Sequence, residues 1–564
     1  MKLFSIGTLA LLLMATAAKA EPAPVRYRLS PVLENGTLKA LAVDIDFEAD
    51  ADGLTTLRFA SRFQNEKLPG RYAEGLTVTG GETVTPRPDG GADILAKPGA
   101  ALHARYRVRS GFDAAPTTQT ATQTKPIILP DWFYAAGELL FAYPEDQLDS
   151  LATFVWSGAP AGFGFASDLE RLADRRGAVV DVLDSIVIGS PNLRLIEGQG
   201  GDAGLRIAVL GRFDHFDDPT FADAAFRVIR AERDFWGDDP SPFLITLAPL
   251  IPRVFEHYSG TGRTDAFALW AGTSLSAKEI YPLLAHEYFH TWNSDQLGEP
   301  AWDRSNAWLS EGFTDFYTKR ILLRAGLFSL EDYAASWNEW LRAYGVSPAR
   351  NATEAKIVAV YWQDRDVEEI AYKRGAMMAA LFDIQLRRDG RHLDMVMRLM
   401  RAHKAGDPKS GLAPNFEAAF TTVLGRPVLP EIDRYEMRGE TLTLPDDTFA
   451  CLTLSTVTQP AFRVGFDADA TAEKGAFTGV DPAGPAYAAG LRDGMKRLKR
   501  EGGAMGDSSV ELAYTVADAA GREQVIRYKP EGKASVTFQK LSIPVGLTQV
   551  ERDACVRTLS GFYF

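Results

Sequence analysis

The short motif H-E-x-x-H is the feature that most constrains this chain. It lies between Ile280 and Asn293, where apolar residues surround it at helical spacing. Positions i and i+4 of an α-helix share one face, so the imidazoles of His286 and His290 can reach one ion. This pairing is typical of a zinc site, and Glu287 between the two is placed to act as a general base on a water molecule. The sequence therefore predicts one zinc ion held on a helix; two histidines that merely pack on a helix are the alternative.

A catalytic zinc ion needs a third protein ligand and an open position for water. Glu311 is the candidate ligand, because it lies in a second predicted helix, Trp308–Ala325. Asp315 is one turn further along the same face, where it could accept the free ring N–H of a ligand histidine and fix that ring. For both carboxylates the alternative is an ordinary solvated position on a helix surface.

Peptide hydrolysis also needs a donor for the negative charge that develops on the carbonyl oxygen. Tyr372 is the candidate donor, at the start of a predicted amphipathic helix, Val367–Arg388. The pattern of residues alone leaves a packing role for this tyrosine open.

The segments on either side of the motif predict a multidomain α+β protein. From residue 21 to about 215, short alternating runs are separated by Gly, Pro and Asp clusters, which predicts an N-terminal β-rich domain. Helical spacing dominates residues 216–450, which we interpret as the catalytic domain, with further helices predicted at Ala277–Asn293, Leu330–Tyr344 and Leu393–Ala405. Short mixed strands return in residues 451–564 and predict a small C-terminal module.

Residues 1–20 have the pattern of a secretory signal peptide. Lys2 precedes an apolar run from Leu3 to about Ala15, and Ala18-Lys19-Ala20 stands before Glu21. The apolar run is short for a membrane span, so no stable membrane anchor is expected. We expect an exported protein, located in a periplasm or outside the cell.

Export bears on the two cysteines, Cys451 and Cys555. In an oxidising compartment a disulfide between them persists, and we predict that bond, with two separate buried thiols as the alternative. The formal net charge is −13, and the basic residues are scattered along the chain. Nucleic acid is therefore not an expected partner.

The segments that carry these candidates resemble the glycyl aminopeptidase family, a branch of the gluzincin zinc peptidases. The likeness lies in H-E-Y-F-H-T-W-N at His286–Asn293, W-L-S-E-G-F-T-D-F-Y at Trp308–Tyr317, and Y-K-R-G-A at Tyr372–Ala376. The resemblance implies a thermolysin-like, mainly helical catalytic domain, peptide substrates, and Tyr372 as the source of the transition-state hydroxyl.

The resemblance also implies a C-terminal PDZ domain. Residues 476–494 look like its central part, and Phe462–Phe466 would be the loop that receives a peptide carboxylate. The chain has Asp493-Gly494 where the family usually shows Gly-Asp. A structural role for this PDZ-like module is as consistent with the sequence as peptide binding.

Gluzincin aminopeptidases commonly hold the free amine of the substrate with a Glu on a Gly-rich strand before the zinc helix. In this chain Ser259–Trp270 lacks that Glu, and Asp265 is the candidate in its place, while Gly260 and Gly262 are predicted as turn residues. The leading hypothesis is a zinc aminopeptidase acting on short peptides with small N-terminal residues. The alternatives are a zinc endopeptidase that needs no free amine, and a peptide-binding protein with a silent zinc site.

Overall fold

The computed structural model describes residues 23–60, 62–63, 66–67, 70–114, 125–158, 160–173, 177–250, 258–293 and 296–561. The predicted signal peptide lies outside the described residues. The described chain forms two compact units: the first contains residues 23–113, 125–161 and 169–185, and the second contains residues 162–168 and 186–561. None of the described helices combines the length and apolar character needed to cross a membrane.

The part of the chain that the structure describes contains twenty-six strands, numbered in chain order. They are β1 (Val25–Glu34), β2 (Thr37–Glu48), β3 (Leu54–Arg58), β4 (Arg62–Phe63), β5 (Glu66–Lys67), β6 (Ala73–Thr79), β7 (Thr83–Pro86), β8 (Ala92–Leu95), β9 (Ala101–Arg109), β10 (Ile127–Leu129), β11 (Trp132–Ala136), β12 (Tyr143–Pro144), β13 (Leu151–Trp156), β14 (Gly164–Ser167), β15 (Gly177–Ala178), β16 (Ile186–Ser190), β17 (Arg194–Glu197), β18 (Leu205–Val209), β19 (Phe243–Pro249), β20 (Tyr258–Arg263), β21 (Ala266–Ala271), β22 (Thr453–Phe462), β23 (Lys496–Gly502), β24 (Leu512–Ala517), β25 (Glu523–Tyr528) and β26 (Glu531–Ser542).

The helices are α1 (Val179–Leu183), α2 (Asp218–Trp236), α3 (Ala277–Phe289), α4 (Ala307–Ser310), α5 (Gly312–Arg324), α6 (Leu330–Val346), α7 (Glu354–Val360), α8 (Arg365–Arg388), α9 (Leu393–Gly406), α10 (Leu412–Leu424), α11 (Leu429–Ile432), α12 (Ala468–Lys474), α13 (Pro485–Ala488) and α14 (Gln549–Leu559). A π-helical turn, Asp433–Met437, follows α11.

The first unit is a β structure, as its alternating sequence predicts. Its main sheet has six strands in the order β15-β13-β1-β2-β9-β6, and its second sheet has the order β12-β3-β8-β7. In β9 every second side chain is buried, including those of Leu102, Ala104, Tyr106 and Val108. Successive side chains of a strand point to opposite faces, so this strand has one core face and one solvent face.

The second unit begins with a mixed sheet in the order β17-β18-β19-β21-β20. Strands β18, β19 and β21 run parallel, and β20 pairs antiparallel with β21 at the edge. All six residues of β21 are buried, as expected for a central strand of a covered sheet. The sequence places the end of the N-terminal domain at residue 215, whereas β17 and β18 pair into this sheet and the second unit begins near residue 186.

The helical part of the second unit follows the sequence prediction closely. The five helices predicted between residues 277 and 405 are present, and their ends agree with the prediction to within about one turn. The exception is the predicted helix Trp308–Ala325, which is interrupted at Glu311 between α4 and α5. Helix α3 ends at Phe289, so His290 occupies its C-cap position.

The C-terminal residues form a small α+β region within the second unit. Strands β22 and β26 pair with each other, and β23, β24 and β25 form a separate sheet. An apolar core of its own includes Phe477, Leu491 and Tyr514. Helix α12 begins two residues after Phe466, so the chain does not pass from the predicted carboxylate loop directly into a strand.

The C-terminal residues are held by a disulfide of their own and by a pair of hydrogen bonds to helix α6. Cys451 and Cys555 form a disulfide, with their Cα atoms 5.6 Å apart. The side chain of Asn338 in α6 donates to the carbonyl of Leu541 in β26 at 2.9 Å and accepts from its N–H at 2.6 Å. An amide side chain that satisfies both backbone groups of one strand residue fixes the strand against the helix.

Candidate metal centre

His286, His290 and Glu311 form a cluster of ligand atoms at the end of α3. Both histidine Nε2 atoms lie 3.3 Å from Oε2 of Glu311, and they lie 3.1 Å from each other. Among the described residues this is the cluster of His, Cys, Asp or Glu side chains that could hold a metal ion. The structure thus brings together the three ligands predicted from the sequence.

The three ligand atoms fit a zinc ion. Zinc–nitrogen and zinc–oxygen bonds of about 2.0–2.2 Å in a tetrahedron place the ligand atoms about 3.3 Å apart, close to the observed 3.1–3.3 Å. Two imidazoles and one carboxylate are also a donor set of catalytic zinc sites that leave the fourth position open. Residues and spacing therefore suit zinc without rearrangement.

Asn293 joins the histidine segment to the segment that carries Glu311. It is fully buried, and its side-chain NH₂ donates to the carbonyl oxygens of Leu309 at 3.1 Å and Ser310 at 3.0 Å. Those two residues immediately precede Glu311, where the backbone passes from α4 to α5. The asparagine of the H-E-Y-F-H-T-W-N stretch therefore sets the distance between the histidines and the third ligand.

Asp315 contacts the His286 ring at the nitrogen that does not face Glu311. Its Oδ1 lies 2.9 Å from Nδ1 of His286, on the opposite side of the ring from the ligand atom Nε2. Burial lowers the pKa of His286, but the carboxylates of Asp315 and Glu311 outweigh burial and raise the pKa well above its usual range. Burial raises the pKa of Glu311, but the two imidazoles outweigh it and hold that pKa well below its usual range. Asp315 thus holds the His286 ring, and the Glu311 carboxylate stays ionised.

Glu287 faces the edge strand β20. A Cβ atom built on Gly260 would lie 3.4 Å from Cγ of Glu287, and one built on Gly262 would lie 3.8 Å from its Oε2. Burial raises the pKa of Glu287 above its usual range, with the two imidazoles opposing. The prediction that these glycines are turn residues is wrong: they belong to β20. A Cβ atom on Gly260 would collide with the Phe267 ring, whereas one on Gly262 would meet nothing closer than Glu287.

Tyr372 reaches the cluster because two helices approach each other at glycines. A Cβ atom on Gly312 of α5 would collide with the backbone of Gly375 in α8, and one on Gly375 would collide with the carbonyl of Trp308. Glycine permits this backbone contact because it has no Cβ. The Tyr372 ring consequently lies 6.0 Å from the His286 ring, measured between centroids.

Two further contacts of α8 hold Tyr372 in place. Next to the glycine, the fully buried Arg374 donates from Nε to Glu436 at 2.9 Å and from Nη1 to the carbonyl of Ala352 at 2.6 Å. Burial, followed by the negative charge of Glu311 and by the neighbouring Tyr361 phenol, raises the pKa of Tyr372 well above its usual range, so the Tyr372 phenol keeps its proton.

Sequence reasoning missed Arg304, Asn293 and Tyr361. Nη1 of Arg304 lies 3.3 Å from Oε1 of Glu311, the carboxylate oxygen that does not face the histidines. Arg304 lies in the loop before α4. The sequence has no helical or strand periodicity there that could indicate where its side chain points. Tyr361 and Tyr372 come from separate helical segments, so the sequence alone does not reveal that they are neighbours.

Asp265, the predicted contact for the substrate amine, lies in the turn between β20 and β21. Its backbone carbonyl accepts a hydrogen bond from the N–H of Leu244 at 3.0 Å. It is thus three residues beyond Gly262, at the end of the strand that faces Glu287. Its role toward a substrate stays a prediction.

Comparison with known sequences adds one match. The profile of the M61 glycyl aminopeptidase family matches residues 279–377, which contain His286, Glu287, His290, Glu311 and Tyr372. A search of curated proteins found no match to the chain.

Comparison with solved structures shows the fold. An aminopeptidase N family protein from Idiomarina loihiensis superposes with a TM-score of 0.66 at 13% identity, covering 94% of this chain and 100% of that one. An M1 zinc metallopeptidase from Deinococcus radiodurans gives a TM-score of 0.47 at 15% identity, covering 75% and 96%. A variant of that enzyme bound to the peptide Tyr-Ser-Ala gives 0.48 at 16% identity, with the same coverage. The chain thus shares the multidomain fold of an aminopeptidase N family protein.

Proposed function

We propose that this chain, a zinc-dependent peptidase, is an exported aminopeptidase that releases small N-terminal residues from peptides. The observation that carries the proposal is the ligand cluster: three ligand atoms at zinc spacing lie within the segment that matches a glycyl aminopeptidase family. We assign His286, His290 and Glu311 as ligands, and Asp315 as the residue that orients His286.

A bound zinc ion supplies a Lewis acid that polarises the scissile carbonyl and lowers the pKa of a water molecule toward neutrality. Glu287 accepts the proton of that water and passes it to the leaving amine. Its raised pKa suits both steps, because a carboxylate that binds protons more tightly is a better base and can return the proton.

Tyr372 donates its hydroxyl proton in a hydrogen bond to the developing oxyanion. Its position beside His286 and its raised pKa support this role, since a donor must stay protonated in the working pH range. Strand β20 is the edge strand of the described sheet and lies beside Glu287, and Gly262 leaves open space in front of that carboxylate. We assign the free amine of the substrate to Asp265, at the end of this strand.

Two finer parts of the proposal rest on the sequence and the disulfide. The signal-like residues 1–20 and the Cys451–Cys555 bond support export to an oxidising compartment. For residues 451–564 we propose a PDZ-like module with a structural role. The module is supported by short helix α13, which is followed by a turn at Gly490. Its structural role is supported by helix α12, which begins directly after the predicted carboxylate loop and leaves no strand there for a peptide to pair with.

The test compares purified wild type with Glu287→Gln on glycyl and alanyl peptides, free or N-acetylated, with zinc content measured for both. We expect cleavage of the free peptides only, and a loss of about 10²–10⁴-fold in the variant with zinc retained. Glu417→Gln, on helix α10, is the matched control and should keep full activity.

Cleavage of acetylated peptides at equal rates would favour the endopeptidase. A zinc-loaded wild type inactive on every peptide would favour the silent binding protein.

A further inference from the structure

Arg304 has the least ordinary backbone near the metal centre. Its φ is +65°, and among the described non-glycine residues only Asn35 and Ala450 share a positive φ. The loop holds it there: its N–H donates to the carbonyl of Ala301 at 3.0 Å, and its carbonyl accepts from Ala307 at 3.1 Å. Strained residues held in this way cluster at functional sites, so the arginine is a candidate for a role in binding.

The guanidinium also lies over two aromatic rings. Its carbon lies 4.9 Å from the ring centroid of Trp362 and 5.5 Å from that of Tyr361. One donor, Nη1, points at Oε1 of Glu311 at 3.3 Å. The Arg304 side chain keeps 31% of its surface exposed, and the guanidinium has N–H donors beyond the one that meets Glu311. Stacking on aromatic rings prepares an arginine to bind a planar anion with little loss of side-chain entropy.

The position of Arg304 limits which anion it can meet. The two oxygens of the Glu311 carboxylate share one carbon, so the guanidinium lies beside the ligand oxygen itself. Consecutive residues of a peptide are about 3.8 Å apart, so a carboxylate one or two residues from the scissile bond can reach this position. Arginine and carboxylate match in geometry through two parallel hydrogen bonds.

We infer that Arg304 binds a carboxylate of the peptide substrate close to the scissile bond, which makes di- and tripeptides with a free C-terminus the favoured substrates. An acidic side chain next to the scissile bond offers the same chemistry. This inference rests on the proposed aminopeptidase function and names the part of the substrate that selects for short peptides.

The experiment measures kcat/KM of zinc-loaded wild type, Arg304→Gln and Arg304→Lys on Ala-Ala and on Ala-Ala amide. We expect Arg304→Gln to lower kcat/KM for Ala-Ala by about 10- to 100-fold, the value of a charged hydrogen bond, and to leave the amide within about threefold. Arg304→Lys should lie between them. Arg365→Gln, an exposed arginine at the start of α8, is the control and should change neither.

A matched pair, Ala-Glu amide and Ala-Gln amide, distinguishes the source of the carboxylate. Loss of Ala-Glu amide cleavage in Arg304→Gln, with Ala-Gln amide unaffected, assigns the acidic side chain as a ligand of Arg304. An equal fall for free acid and amide, with loss of zinc content, would show that Arg304 only supports Glu311 and would overturn the inference.

Binding separates this inference from the proposed function. Calorimetry on zinc-loaded Glu287→Gln, with and without Arg304→Gln, compares the affinities for Ala-Ala and Ala-Ala amide. A wild type that cleaves neither peptide contradicts the aminopeptidase proposal, while a preference for Ala-Ala that needs Arg304 still supports the carboxylate site. Equal affinities of Glu287→Gln for Ala-Ala and Ala-Ala amide would contradict the carboxylate site at Arg304, even if the wild type is active.

Discussion

Helix α5 borders two buried polar clusters whose charges are balanced in different ways. The ligand cluster comprises His286, Glu287, His290, Glu311 and Asp315; the arginine cluster comprises Tyr317, Arg320, Asp383, Arg387 and Asp394. In the arginine cluster two arginines face two aspartates: Nη1 of Arg320 lies 3.2 Å from Asp394, and Nε of Arg387 lies 2.9 Å from Asp383. The charges of that cluster are therefore balanced by protein groups alone.

The ligand cluster carries three carboxylates, and Arg304 is the cation in contact with them. With neutral imidazoles, an excess of two negative charges remains, which is the charge that one zinc ion would neutralise. Three of its ligand atoms also converge on one point, whereas in the arginine cluster Oδ1 of Asp394 accepts from Tyr317 and Arg320, and Oδ2 of Asp383 accepts from Arg387. Buried charges must be paired or bind a metal, and the two clusters show one solution each.

Removing Arg320 is the largest expected perturbation of stability. Arg320→Met leaves Asp394 buried without its cation, and breaking a buried pair in this way costs about 3–5 kcal/mol. We expect the free energy of unfolding in urea to fall by that amount while the folded variant binds zinc with unchanged affinity. Arg365→Gln, which is 82% exposed, should cost less than about 0.5 kcal/mol. Weakened zinc binding in Arg320→Met would break the distinction between the clusters.

Tyr372→Phe tests the catalytic side of the comparison. Loss of one donor to an oxyanion costs about 10²–10³-fold in kcat, or about 2.7–4 kcal/mol. KM, zinc content and the free energy of unfolding should change little, because the ring stays in place. Tyr333→Phe, a buried tyrosine in α6, is the control and should retain its kcat. A fall in kcat equally large for both variants would point to a packing effect.

Asp315→Asn sharpens the comparison at the ligand cluster. The amide still fills the space next to His286 but lacks the negative charge that orients and polarises the ring. Supporting residues of this kind are worth about 10- to 100-fold in metal affinity. Competition with a chelator should show a weaker zinc complex by that factor. Zinc affinity equal to that of wild type would reduce Asp315 to a packing residue.

The smallest predicted effect concerns Lys319, which lies on α5 between the two clusters. It is 4% exposed, its Nζ lies 3.9 Å from the ring centroid of Trp340, and burial lowers its pKa to about 8. The unfolded chain therefore binds more protons than the native protein between pH 8 and 10.5, so the free energy of unfolding rises with pH over that window.

From pH 8 to 9 the rise should be about 1 kcal/mol. Lys319→Met should abolish it, whereas Lys278→Met, at an exposed position, should keep it. Urea unfolding at the two pH values measures the difference. A pH slope that persists in Lys319→Met would assign the titration to another group.

Local sequence patterns predicted the parts of this site that lie on single helices. His286 and His290 are one turn apart, as are Glu311 and Asp315, so helical periodicity alone places each pair on one face. The same holds for the helices themselves, whose apolar spacing is visible in the sequence. Glu287 follows from the motif, and Tyr372 followed from a resemblance to a family.

Contacts between distant segments were beyond the reach of such patterns. Strands β17 and β18 look like those of the N-terminal domain, and only their pairing with β19 assigns them to the second unit. Gly260 and Gly262 resemble turn residues because a strand with two glycines lacks the usual β-forming side chains. Arg304 belongs to an irregular loop, where no periodicity indicates the direction of a side chain.

The contact between Gly312 and Gly375 has a consequence for how the site can change during evolution. Because main chain touches main chain there, the spacing between the third ligand and the tyrosine does not depend on any side-chain rotamer. The surrounding apolar residues can be exchanged without altering that spacing, provided that the total volume is kept. A larger residue at either glycine, in contrast, would displace Glu311 and Tyr372 together. A second substitution could not relieve this clash by shortening a side chain, because the atoms that clash belong to the backbone. Under the proposed function, the metal ligand and the transition-state donor are therefore inherited as one unit through two glycines.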